Sequence, residues 1–141
     1  MKLFITIMLL VLSIFSSAGC GINAKIEEGK ESTKPYTYTD ISPEEAKKRL
    51  DSEKNIVLLD VREPSEYTEK HIPGSVLIPV GTIEKEAPSK LTDKDAPIFV
   101  YCRSGRRSVT ASEALVGLGY TEVYNLGGII DWPYETESGE G

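Results

Sequence analysis

Two short apolar runs constrain this chain most. Ile56-Val57-Leu58-Leu59 and Pro97-Ile98-Phe99-Val100-Tyr101 both lack the polar alternation of a strand with one wet face. Runs of this kind suit strands covered on both sides, as in a parallel sheet sandwiched between helices. Each run ends in polar residues: Asp60-Val61-Arg62 after the first, Cys102-Arg103 after the second. Ligands of open parallel sheets bind beyond the carboxyl ends of the strands. Asp60 and Cys102 are therefore expected on one edge of the sheet, the functional one.

The segments between the runs carry helix and turn signals. Ser42-Pro43-Glu44-Glu45 places Ser at the N-cap, Pro in the first turn and Glu three residues after the cap, which predicts a helix to about Leu50. Pro64 opens a short helix through about Lys70. Thr82 to Leu91 reads as a helix interrupted or ended near Pro88, and Arg107 to Leu118 as a helix capped by Gly119. Tyr36–Thr39, Val76–Ile78 and Val123–Leu126 are further short strand candidates, with Gly127-Gly128 as a turn and Ile129–Trp132 as a short terminal turn. Strands separated by helices predict an α/β domain with a mainly parallel sheet over residues 36–135. The polar, Gly-containing residues 136–141 are expected as a disordered tail.

The first twenty residues read as an address. Met1-Lys2 is followed by a largely apolar stretch from Leu3 to Phe15 and then by Ser16-Ser17-Ala18-Gly19-Cys20. A positive start, a short apolar core and small residues are the parts of a secretory signal peptide. The core is too short for a stable transmembrane helix. Ser16-Ser17-Ala18 fits an ordinary signal-peptidase site, which would release a secreted or periplasmic protein. Ser17-Ala18-Gly19-Cys20 resembles a bacterial lipobox, with Ser17 where such boxes usually carry Leu. That resemblance implies removal of 1–19 and lipidation of Cys20, holding the domain on the outer side of the cell membrane. Residues 20–35 are polar and read as a flexible tether.

Composition removes several function classes. Sixteen Lys and Arg against 22 Asp and Glu give a formal charge of -6, which argues against a nucleic-acid partner. One histidine and two cysteines cannot build a multi-His or Cys-rich metal centre, so no metal is expected. Neither a phosphate-binding loop of the Lys-Ser/Thr type nor a dinucleotide fingerprint occurs, and no cofactor is expected. The function is left to Cys102.

Cys102-Arg103-Ser104-Gly105-Arg106-Arg107-Ser108 follows a buried strand and feeds a helix. Backbone N–H groups of such a loop, together with the helix dipole, favour an anion at their focus. Three arginines add positive charge. Both effects lower a thiol pKa and make Cys102 a candidate nucleophile. This loop resembles the active-site loop of rhodanese-family sulfurtransferases. Other segments agree in order: Leu59-Asp60-Val61-Arg62-Glu63 with Glu66-Tyr67, His71-Ile72-Pro73-Gly74-Ser75, Leu118-Gly119-Tyr120, Asn125-Leu126-Gly127-Gly128-Ile129 and Trp132.

The resemblance implies a rhodanese-like α/β fold, a five-stranded mainly parallel sheet with helices on both faces. It implies sulfur transfer through a Cys102 persulfide, from a small sulfur-containing anion such as thiosulfate to cyanide or a thiol, including a protein thiol. Loop groups from Arg103 to Ser108 would hold the anion. The alternative is a sulfur carrier with little turnover of thiosulfate. A non-catalytic interaction domain is disfavoured by the intact Cys102 and its arginines. A phosphate-hydrolysing relative of the fold has a loop one residue longer between Cys and Arg, which disfavours phosphatase chemistry here. Asp60 and Arg62 are expected to support the site: Asp60 orients a loop arginine or organises the pocket, or the two make a structural ion pair linking adjacent loops. His71 precedes a rigid Ile72-Pro73-Gly74 turn and is expected to be structural. Trp132 is expected to pack.

Overall fold

The computed structural model describes residues 37–140. The expected signal segment, Cys20, the tether and Tyr36 lie outside the described residues, as does Gly141.

Five strands form one sheet: β1 (Thr39–Asp40), β2 (Val57–Asp60), β3 (Val76–Leu77), β4 (Ile98–Cys102) and β5 (Val123–Gly128). Their order is β1-β5-β4-β2-β3, and every neighbouring pair is parallel. The two apolar runs are β2 and β4, side by side at the centre, with Asp60 opposite Tyr101. The alternation of strand side chains then builds two cores. Leu59, Ile98, Val100 and Cys102 face one layer, where Ile83, Ala87, Ala111 and Leu115 cover them. Leu58, Phe99 and Tyr101 face the other, under Ala46, Ile129 and Trp132. The sheet is thus covered on both faces, as its apolar strands require.

Four helices connect the strands: α1 (Pro43–Ser52), α2 (Pro64–Glu69), α3 (Ile83–Lys90) and α4 (Arg106–Gly117). The Ser42 side chain accepts the Glu45 N–H at 3.2 Å, the cap expected from the sequence. At α2 a capping box forms instead on Glu63, with Glu66 accepting the Glu63 N–H. Helix α3 is not broken at Pro88 but runs on to Lys90. Burial of Ala87 and Leu91 holds that last turn, and the Tyr120 hydroxyl, placed 3.0 Å from the Ala87 carbonyl and 2.7 Å from that of Leu91, caps it.

Two further expectations are corrected. Gly127-Gly128 is not a turn after the last strand. Both residues belong to β5, which shifts register against β4 and continues as far as the pairing of Cys102 with Gly128. The tail is not disordered over 136–140: His71 and Glu137 exchange backbone hydrogen bonds, at 2.8 and 2.9 Å, and the Gly139 N–H reaches the Thr68 carbonyl. Composition pointed to fraying, but these residues find unpaired backbone groups in the last turn of α2 and at His71 just after it.

Candidate active site

Strand β4 delivers Cys102 to the carboxyl edge of the sheet, and a three-residue loop returns the chain into α4. Gly105 makes that turn possible with φ of 101°, a backbone region that disfavours side chains. The Gly105 N–H consequently points back at Cys102 and donates to Sγ at 3.0 Å. The thiol is almost fully buried, at 1% exposure. Burial pushes its pKa up, but the backbone N–H groups of Ser108, Gly105 and Ser104 and the Ser108 hydroxyl outweigh that effect, and the net shift is downward. The site therefore favours a thiolate that is shielded from water.

Ser108 links this nest to the end of β5. Its Oγ lies 2.7 Å from Asn125 Oδ1, 2.8 Å from the Gly105 carbonyl and 3.3 Å from the Gly127 carbonyl. One hydroxyl proton serves only one of these at a time, so Ser108 has a choice of acceptors when the thiol charge changes. Asn125 is fixed in turn by donating to Asp40 Oδ1 at 2.8 Å and accepting the Gly127 N–H.

The three loop arginines separate by environment. Arg107 makes a two-pronged bond to Glu66, at 2.7 and 2.8 Å. That bond holds the Glu66 carboxyl down to about 2, while Glu66 and the nearby Cys102 charge favour the protonated guanidinium. Arg103 and Arg106 are exposed and have no ion-pair partner among the described residues. With Ser104 and Arg107 they line an open basin of about 580 Å³. An anion entering there meets two uncompensated positive charges.

Asp60 does not orient a loop arginine. Both its oxygens are taken by Arg62, with Nη2 to Oδ2 at 2.6 Å and Nε within 3.0 Å of Oδ1. The pair is buried, and Arg62 Nη2 also donates to the Lys70 carbonyl. It is the structural ion pair that ties the end of β2 to the segment after α2, with the guanidinium 5.7 Å from the Tyr101 ring centre. His71 is buried with Nδ1 2.8 Å from the Tyr67 carbonyl and Nε2 3.1 Å from the Glu137 carboxylate, and its ring stacks on Tyr67. Neither nitrogen is turned to Cys102.

Glu66, Asn125 and Gly128 belong to the site without having been singled out for a role. A Cβ on Gly128 would collide with the Arg103 carbonyl oxygen and lie 2.7 Å from Ser104 Cα. Their only sequence signal was membership of motifs; their partners lie far away along the chain.

Comparison with known proteins agrees with this geometry. The rhodanese-like domain matches residues 42–134. The chain belongs to the rhodanese-like family. The fold is that of rhodanese-like domains of known structure. An Escherichia coli structure described as "rhodanese with anions" superimposes with a TM-score of 0.57 at 34% identity, covering 60% of this chain and 99% of that one. The Alr3790 protein of Anabaena gives 0.66 at 29% identity, over 72% of this chain and 94% of that one. Among curated relatives, the "Putative sulfur carrier protein YrkF" of Bacillus subtilis is 42% identical over 70% of this rhodanese-like chain, which spans about half (52%) of that protein's length. The thiosulfate sulfurtransferase PspE of Escherichia coli is 38% identical over 52% of this chain and 70% of its own.

Proposed function

We propose that this rhodanese-like chain is a sulfurtransferase that carries sulfane sulfur as a persulfide on Cys102. The carrying observation is the Cys102 thiol, buried yet lowered in pKa by the loop N–H groups aimed at it. In the first step the thiolate attacks the outer sulfur of an anionic donor such as thiosulfate. A new S–S bond forms to Sγ, the donor S–S bond breaks, and sulfite leaves with the electron pair. In the second step cyanide or a thiolate attacks the outer sulfur, and the electron pair returns to Cys102 as thiolate. Two displacements at sulfur replace one difficult transfer. Arg103 and Arg106 draw in the donor, Arg107 is held beside the thiolate by Glu66, and the Ser104, Gly105 and Ser108 N–H groups hold the persulfide anion.

Incubation with thiosulfate and cyanide is expected to produce thiocyanate, and Cys102→Ser to abolish it. Turnover retained in that variant would overturn the mechanism. The sulfur-carrier reading is supported by the name of the Bacillus subtilis relative. A protein that gains the mass of one sulfur atom on Cys102 but does not turn over thiosulfate is a carrier.

The same reading places the domain outside the cytoplasm, anchored to the membrane through lipidated Cys20. The support is the Ser17-Ala18-Gly19-Cys20 segment behind an apolar core. Wild type is expected to partition into membranes and Cys20→Ala into the soluble fraction. A wild-type protein that is wholly soluble removes the anchor and leaves the secreted form.

A further inference from the structure

Beside the Cys102 loop lies a second opening, a cleft of about 270 Å³ between that loop and the Ile129–Asp131 turn. Arg103 lines it on the loop side and Ile130 on the other. Ile130 is 63% exposed, the most exposed large aliphatic among the described residues; the other, Val76 at 42%, lies on edge strand β3. A single exposed aliphatic is ordinary on a surface. This one is tied to the active loop, because the Ile130 N–H donates to the Arg103 carbonyl at 3.3 Å.

The charges in the cleft do not cancel. Arg62 is neutralised by Asp60, and Glu66 by Arg107. Arg103 and Lys70 remain against Glu69, and Arg106 stands in the adjoining basin. The result is a cationic patch with an apolar contact on a chain of formal charge -6. Cyanide needs no such surface.

We infer that this cleft docks a protein acceptor: a polypeptide segment that brings its own cysteine to Cys102, with acidic side chains toward Arg103 and Lys70 and an apolar one against Ile130. This deepens the persulfide reading and rests on it. Complementary charge would steer the encounter, and the buried contact at Ile130 would slow release. A lipid surface could satisfy the same cations and the same aliphatic, but it offers no thiol to receive sulfur. In the transfer the acceptor thiolate attacks the outer sulfur, the Sγ–S bond breaks, and its electron pair returns to Cys102. The acceptor leaves as a persulfide, and no oxidant or reductant is consumed.

The test uses two fluorescein-labelled peptides, each with one cysteine and one leucine, flanked by Asp and Glu in one and by Lys in the other. Binding is read by anisotropy on full-length Cys102→Ser protein, so that docking is measured without chemistry. The acidic peptide is expected to bind ~10-fold tighter at low salt, with most of the difference lost by about 0.5 M salt. Ile130→Ser and Lys70→Glu are each expected to weaken it several-fold. In the otherwise wild-type protein the same two variants slow discharge of the persulfide to the acidic peptide and leave discharge to cyanide unchanged. Equal binding of the two peptides, unaltered binding in both variants, or sedimentation with phosphatidylserine vesicles in place of peptide binding would overturn the docking surface. Thiocyanate formation without peptide binding removes the docking surface alone. Peptide binding without any persulfide removes the sulfur-transfer reading and leaves the surface.

Discussion

Glu66 serves two purposes with one carboxylate. It closes the capping box of α2 and holds Arg107 with both oxygens. The pair is partly solvated, each side chain being 27% exposed, so its net worth is well below what its geometry suggests. Glu66→Gln keeps the shape and removes the charge, and is expected to cost about 1–2 kcal/mol at neutral pH. The carboxyl falls from the ordinary 4.5 to about 2 in the folded protein. Its stabilisation is therefore complete above pH 4.5 and lost as the pH falls from there toward 2. Melting curves of wild type and variant should converge over that interval. A gap that persists to the acid end would assign the effect to packing rather than charge.

At the scale of elements, the end of β5 is the wall against which the active loop is set. Cys102 pairs with Gly128 in the parallel ladder, and the loop backbone crosses directly over that glycine. Gly128→Ala puts a methyl group where the Arg103 carbonyl and Ser104 Cα now lie, and neither is a side chain that can swing away. The loop must shift, carrying with it the N–H groups aimed at Sγ. Thiocyanate formation is expected to fall ~100-fold, since sub-ångström positioning governs such steps. The cost in stability should be about 1–3 kcal/mol of overpacking, a drop of roughly 5–20 °C in melting temperature. Full turnover in this variant would show that the loop tolerates the shift.

At the scale of the whole molecule, residues 135–140, just past the family match, form a strap. Residues 135–140 pair Glu137 with His71 in both directions, place the Glu137 carboxylate against the His71 ring and bond Gly139 to Thr68. The strap touches the last turn of α2 and the segment after it, and makes no hydrogen bond to the Cys102 loop. Ending the chain after Glu135 is expected to lower stability by about 1–3 kcal/mol in urea unfolding, through the uncovered groups of His71. Thiocyanate turnover of the folded protein should be unchanged. A large loss of turnover would make the strap part of the site.

The sequence by itself determined where most of the strands and helices lie, though not all of their ends, because local composition decides that. Two uninterrupted apolar runs need cover on both faces, Ser42 can cap a helix, and a Cys-to-Arg loop after a buried strand leads its N–H groups into one place. It also placed Asp60 and Cys102 on one edge, since strand ends in a parallel sheet share a side. What only the tertiary structure decided are the pairings across the chain. Asp60 is saturated by Arg62 and not by a loop arginine. Arg107 is claimed by Glu66, 41 residues away, while Arg103 and Arg106 have no ion-pair partner among the described residues. Gly127 and Gly128 look like a turn in the sequence, yet they extend a strand because β4 offers them a partner. The polar tail looks unstructured, yet it finds unpaired backbone beside His71. Each of these depends on distance in space between groups distant in sequence, and no local pattern carries that information.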